Sequence, residues 1–340
     1  MKKENLYKNK AVVTGGAGFI GSHIVDALVA QGREVHVIDN LSGGKKGNIN
    51  PEAVFHKADI RKLEEIKPII KGAKYVFHLA ALPRVQYSIE NPGETNEVNV
   101  QGTVNVLQAS KEGGVKRFIY SASSSAYGDQ PARTTSVVQS GGKVMLKTNS
   151  SDEFVRPTGS GRFRPLREDM PVHPKSPYAL HKYIGEMYAR LWDEVYGLET
   201  VSLRYFNVYG PRMNPDGAYP LAIGKFLKLR QAGKPLTIWG DGTQTRDFTH
   251  VRDVVQANLL AAESQNVGKG EVINIGAGRN VSINDVAKIV GGSVVYEPPR
   301  IEPHDTLADN SLAKKLLGWK PEVKLEEGIG ELKHEFGIMN

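Results

Sequence analysis

Ala11-Val12-Val13-Thr14-Gly15-Gly16-Ala17-Gly18-Phe19-Ile20-Gly21 runs from a short apolar stretch into three glycines spaced three residues apart, Gly15, Gly18 and Gly21. Ala11 to Val13 reads as a buried strand. From Ile20, apolar residues recur at helical spacing through Ile24, Ala27 and Leu28, and Gly32 stops the pattern. A second strand, Glu34 to Ile38, ends on Asp39. In a strand–turn–helix–strand unit of this kind one glycine permits the tight bend. Another lets the backbone approach a pyrophosphate, and the third lets the helix pack on the strand. The pyrophosphate then meets free N–H groups at the helix N-terminus. Asp39 stands where a carboxylate takes the adenosine ribose hydroxyls. The same carboxylate repels a 2′-phosphate, so the expected cofactor is NAD and not NADP.

The rhythm continues outward. Strand patterns recur at Lys74 to Leu79, Arg117 to Ser121, Thr200 to Phe206 and Val272 to Ile275. Helical patterns cover Asn99 to Glu112, Tyr178 to Tyr196 and Val251 to Glu263. The alternation predicts an α/β fold: a Rossmann-type doubly wound parallel sheet with a smaller C-terminal α/β substrate domain. The expected division is residues 1–206 plus about 249–276 for the cofactor domain, and 207–248 plus 277–340 for the substrate domain. Residues 131–164 break the rhythm. They hold two short strand patterns around Gly141-Gly142, then a polar stretch that reads as loop.

The chain has 340 residues, 0 cysteines and a formal charge of +7. Disulfide frameworks and thiolate metal sites are thereby excluded. No metal is expected. Met1-Lys2-Lys3-Glu4-Asn5 lacks the apolar stretch of a signal peptide. No run approaches a membrane span of about 20 apolar residues. The expectation is a cytoplasmic protein. Its basic residues are dispersed among acids, which suits small anionic substrates better than nucleic acid.

Tyr178 and Lys182 lie four residues apart in Ser176-Pro177-Tyr178-Ala179-Leu180-His181-Lys182. On a helix they share a face. A neighbouring ammonium is expected to lower the phenol pKa and make Tyr178 a base for a sugar hydroxyl.

Taken together, these motifs resemble the extended short-chain dehydrogenase/reductases, specifically the nucleotide-sugar 4-epimerases. The resemblance runs nearly end to end. It includes Thr14 to His23, Asp39-Asn40, Asp59-Ile60, His78 to Ala81, Asn99 to Thr103, Ser123 to Gly128, Tyr178 to Lys182, Arg204 to Arg212, Arg246 to Val251 and Asn274 to Gly276. The resemblance implies Tyr178 as base, Lys182 as its partner and ribose ligand, and Ser123 as the hydroxyl that helps move the 4-OH proton. It places Gly15, Gly18, Phe19, Ile20, Gly21, Asp39 and Asn40 around the dinucleotide, with Asp59 and Ile60 at the adenine. Leu79, Ala80, Ala81, Asn99, Ser121 and Tyr205 complete that cofactor set. It assigns Ser124, Asn207, Arg246, Arg300 and Thr306 with Ser123 to the substrate, the arginines because a planar fork pairs phosphate oxygens. As residues, Ser124 and Ser125 read more simply as loop hydroxyls capping backbone, and His78 as a packed strand residue. One departure from the family is length: Ser123 and Tyr178 are 55 positions apart, about twice the usual separation.

The implied reaction is inversion at C4 of a UDP-sugar with NAD regenerated in each cycle. Related 4,6-dehydratases carry Asp-Glu after the catalytic Thr, and related decarboxylases carry Glu at the position of Ser125. Here those positions are Ser124 and Ser125. A UDP-glucuronate 4-epimerase and a catalytically silent NAD-binding sensor or scaffold are the alternatives. In the family the residue three positions before the Asp of the Ala-Asp pair, here Ala308-Asp309, lines the sugar pocket; a bulky Tyr there excludes N-acetylated sugars, a small side chain admits them, and Thr306 is small. A homodimer through a helix bundle that includes Tyr178 to Tyr196 is also implied.

Overall fold

The computed structural model describes residues 9–128, 137–140, 143–146, 165–215, 222–299 and 304–338. Its centre is a parallel sheet of seven strands: β1 (Lys10–Thr14), β2 (Glu34–Ile38), β3 (Val54–His56), β4 (Tyr75–His78), β5 (Arg117–Ser123), β6 (Glu199–Tyr205) and β7 (Lys269–Ile275). Their spatial order is β7-β6-β5-β4-β1-β2-β3, with every pairing parallel. The chain leaves β1 toward β2 and β3, then crosses to the other side for β4. That reversal opens a crevice beyond the carboxyl ends of β1 and β4, where open α/β sheets bind ligands.

Alternation along β1 builds both layers. Ala11 and Val13 pack against Ile24 and Leu28 of α1 (Phe19–Ala30). The same layer includes Val254 and Ala257 of the helix Val251–Glu263. Val12 faces the opposite layer with Val106 and Leu107 of α2 (Gly102–Glu112). A third core of Tyr209, Phe226, Ile238, Phe248, Val286 and Ile329 holds the C-terminal part together.

α3 (Pro177–Tyr196) carries the Tyr178–Lys182 pair and packs on β5, β6 and β7. Its start is fixed by sequence: the Ser176 hydroxyl accepts the Ala179 N–H at 3.2 Å, and Pro177 takes the first helical position. Gly197, at φ 66°, closes its C-terminus.

Two details differ from the sequence pattern, and a third agrees with it. The edge strand β3 is only three residues long and carries no clear alternation. The Asn99 to Glu112 pattern begins as a π-turn over Glu97–Gln101 before α2. In the long insertion, Val137–Ser140 pairs antiparallel with Lys143–Leu146, as the glycine-centred pattern suggests. The rest of 131–164 lies outside the described residues. The chain resumes beside the C-terminal part, where the Leu166 N–H donates to Leu307 O at 2.8 Å and the Asp309 N–H donates to Leu166 O at 2.9 Å.

Candidate functional site

The glycine turn is closed by short contacts that side chains would fill. Gly15 has φ 72°, and a Cβ there would stand 2.7 Å from Ala80 N. A Cβ on Gly21 would lie 2.2 Å from Gly15 O, so helix and turn meet backbone to backbone. α1 begins at Gly18 with no side-chain cap and no acidic residue in its first turn. Phe19 and Ile20 open that turn. An uncapped, unopposed N-terminus of this kind offers N–H groups to an anion. Asp39 Oδ2 accepts the Ala17 N–H at 3.0 Å and Oδ1 accepts the Leu41 N–H at 2.8 Å. Both oxygens keep lone pairs for further donors. Burial pushes the Asp39 carboxyl up, against those two hydrogen bonds. These features fit a dinucleotide across the turn.

Around it, the Asn40 amide donates to Asp59 Oδ2 at 3.2 Å. Asp59 is held to about 2, chiefly by its hydrogen bonds with Arg61. Ile60 is buried against Gly102. Leu79 and Ala80 follow β4, tied to the Thr14 carbonyl and hydroxyl respectively, and Ala81 comes next. The Asn99 amide both accepts from and donates to the Leu82 backbone, at 2.7 and 3.1 Å, and so fixes that loop. His78 is enclosed between the Thr14 and Thr103 hydroxyls, a packed residue as its sequence context suggests.

Ser123 ends β5 in register with Tyr205 at the end of β6. The Tyr178 phenol lies close enough to the Ser123 hydroxyl for that group to act on its pKa, and the Ser123 hydroxyl accepts from Ser125 at 2.8 Å. Ser124 begins the short turn that follows. Lys182 is buried and donates to Ser121 O at 2.6 Å, its Nζ 5.1 Å from the centre of the Tyr120 ring. The Tyr205 hydroxyl donates to Asn258 at 3.0 Å.

The sequence expectation for the tyrosine pKa is corrected here. Burial pushes the Tyr178 phenol up, and only the Ser123 hydrogen bond opposes it. The ammonium is instead committed to the Ser121 carbonyl, and burial brings Lys182 itself down to about 8. Spacing along a helix places two groups on one face. It does not say how much solvent they lose.

The residues expected on the sugar side gather on backbone supplied by residues 245–247 and 304–308. Asn207, at φ 31°, donates to Asp247 O at 3.1 Å and to the Thr306 hydroxyl at 3.3 Å. Asparagine tolerates that left-handed backbone better than most residues. Arg246 donates to Thr245 O and His304 O at 2.9 and 3.0 Å. The Thr306 N–H donates to Thr245 O at 3.2 Å. Arg300 lies outside the described residues. Among the described residues no cluster of three or more His, Asp or Glu could hold a metal.

Two buried carboxylates behind the site escape sequence reading. Asp247 Oδ2 accepts the backbone N–H groups of Gly278 and Ala308 at 2.9 and 3.0 Å. Glu186 pairs with Arg204 through two bonds of 2.9 and 2.7 Å. Gly185, beside it, is required because a Cβ would stand 2.1 Å from the Tyr120 hydroxyl. A glycine inside an otherwise strong helix was the one available signal.

Residues 11–276 match the NAD dependent epimerase/dehydratase family. A UDP-glucose 4-epimerase of Mycolicibacterium smegmatis is 34% identical over 341 residues, covering 95% of this chain and 96% of that protein. The crystal structure of a UDP-glucose 4-epimerase with UDP-glucose from Thermotoga maritima superimposes with a TM-score of 0.82 at 38% identity, covering 96% and 98% of the two chains. A UDP-N-acetylglucosamine 4-epimerase from Methanobrevibacter ruminantium, in complex with UDP-N-acetylmuramic acid, superimposes at 0.83 with 34% identity, covering 98% and 99%.

Proposed function

The chain belongs to the NAD-dependent epimerase/dehydratase family, and on that premise we propose that it inverts C4 of a UDP-sugar. The substrates proposed are UDP-glucose and UDP-galactose together with their N-acetylated counterparts. The observation that carries the reading is the gathering of Ser123, at the carboxyl edge of β5, with Tyr178 and Lys182 one helical turn apart on α3, Lys182 being tied to Ser121 of the same strand at 2.6 Å. Gly15, Gly18, Gly21 and Asp39 would hold the cofactor's diphosphate and ribose. Bound NAD supplies the hydride acceptor and, later in the same cycle, the hydride donor.

Tyr178 takes the 4-OH proton at its phenol oxygen, and the Ser123 hydroxyl keeps that oxygen and the sugar hydroxyl in line. Because burial disfavours the phenolate, the base needs positive charge beside it while it acts. Bound oxidised nicotinamide would carry that charge, while Lys182, from the same helix face, would hold the cofactor's ribose. Asn207 and Arg246 hold the diphosphate, so the sugar can turn about its link and present either face. In this reading residues 1–206 with about 249–276 serve the cofactor, and 207–248 with 277–340 serve the sugar.

Thr306 supports the inclusion of N-acetylated sugars. It shares Asn207 with the diphosphate side, and it leaves volume that an aromatic ring would fill. The experiment is a parallel product assay on UDP-glucose, UDP-N-acetylglucosamine and UDP-glucuronate, with the wild type and Thr306→Tyr. The expected outcome is turnover of the first two by the wild type and a selective loss on the N-acetylated sugar in the variant. Turnover of UDP-glucuronate alone would overturn the substrate assignment.

The protein is also proposed to act as a homodimer. Leu180, Met187, Leu191 and Val195 recur along the outer face of α3 and are 43–60% exposed. A stripe of this kind on one helix face suits pairing with its own copy.

A further inference from the structure

Tyr178, Lys182 and Glu186 follow one another at four-residue steps on α3, so they form one stripe. All of the stripe beyond the phenol is interior. Lys182 is 4% exposed, Glu186 2% and Arg204, from β6, 3%. Burying an ion pair is weak evidence for stability, since apolar residues of similar volume often serve as well. Glu186 nevertheless lies one helical turn from Lys182 on the same buried stripe, close enough for its charge to act on that ammonium. Resting on the reading of Tyr178 and Lys182 given above, we propose that Glu186 is a positioning residue for that site: its carboxylate, fixed by Arg204, keeps Lys182 charged and aimed at the cofactor and the base.

The surroundings of Lys182 leave this task to Glu186. From β5, the ammonium meets the Ser121 carbonyl and the face of the Tyr120 ring. From β4, it faces His78, which burial and the lysine's own charge hold neutral, down at about 3. From its own helix it faces Tyr178 and Glu186. Burial lowers Lys182 to about 8, and the Glu186 charge is what resists that fall.

Glu186 in turn has no freedom to move. Both of its oxygens are taken by Arg204. The guanidinium carbon of Arg204 stands 4.6 Å from the centre of the Tyr127 ring. The Tyr127 hydroxyl donates to Asn274 at 2.8 Å, and the Asn274 amide donates to Leu166 O at 2.9 Å and Asp309 O at 3.3 Å. The pair is therefore anchored to the backbone that flanks the Thr306 loop.

The test compares the wild type, Glu186→Gln and the double variant Glu186→Gln/Arg204→Met. The double variant removes the pair without leaving a lone buried charge, so it keeps the question open to measurement if the single variant fails to fold. Melting temperature reports folding. Two pH profiles report Lys182: NAD affinity, and kcat on UDP-glucose. Loss of the lysine proton weakens both as pH rises, so each profile has a basic limb. Removing the carboxylate should move both limbs to lower pH, by about one unit in the double variant and by more in the single, where Arg204 is left unopposed. Folded variants whose two limbs coincide with the wild type would overturn the proposal and leave the pair a structural one. If the wild type turns over no UDP-sugar, the functional reading fails, while the NAD profile still decides the role of Glu186.

Discussion

Asp247 gives the most quantitative handle on the loop that carries Thr306. Its carboxylate is wholly buried, and its Oδ2 alone accepts the N–H groups of Gly278 and Ala308. Among the described residues Oδ1 has no partner. Burial raises this acid from 3.8 to about 6, and the backbone donors only partly oppose it. An acid whose folded pKa lies above its unfolded one binds its proton more tightly when folded. Stability contributed by that proton is present below about pH 4 and is lost as pH rises through about 6. A shift of about two units corresponds to about 3 kcal/mol. Asp247→Asn should keep the loop, because one amide oxygen can accept both N–H groups and the Nδ2 replaces the unpartnered Oδ1. At any single pH the buried amide N–H groups cost about 1–3 kcal/mol of their own, so the informative quantity is the change with pH. Unfolding free energies of wild type and variant from urea titrations, taken from pH 4 to 7.5, should diverge in favour of the variant by about 2.5 kcal/mol over that range. Other titrating groups cancel in the difference. Parallel curves would refute the reasoning, since they would mean that Asp247 titrates alike in both states.

Tyr178→Phe removes only the phenol oxygen and should abolish turnover while NAD binding persists; a rate above a small fraction of wild type contradicts the base assignment. Asp39→Ser should narrow the preference for NAD over NADP in a direct binding titration, because the carboxylate at the end of β2 no longer repels a 2′-phosphate. An unmodified protein that binds both equally contradicts the reading. Leu191→Glu places a charge in the exposed apolar stripe of α3 and should give a monomer by sedimentation, with the melting curve of the isolated chain little changed; an unaltered dimer would place the contact elsewhere.

The sheet and the glycine turn were legible because their signals are local. Apolar triplets, glycines at fixed spacing and a carboxylate ending a strand need no distant partner to be read. α3 was equally plain, since Ser176, Pro177 and Gly197 mark both of its ends. The edge strand Val54–His56 has no sequence signature because three residues carry no periodicity. The π-turn at Glu97–Gln101 keeps a helical composition and changes only the hydrogen-bond register. The buried carboxylates were illegible for another reason. Glu186 finds Arg204 18 positions away, and Asp247 finds Ala308 61 positions away. Alone in sequence, each looks like an ordinary surface acid. The upward push on the Tyr178 phenol belongs to the same class: it comes from enclosure by several elements, which the four-residue spacing to Lys182 does not encode.

Inversion of C4 by removal and return of one hydride within a single cycle is read out by incubating the protein with UDP-glucose carrying deuterium at C4 and analysing the products. The expected product is UDP-galactose that retains its deuterium at C4, with no net accumulation of reduced nicotinamide. UDP-galactose carrying protium at C4, or no UDP-galactose at all, would contradict it.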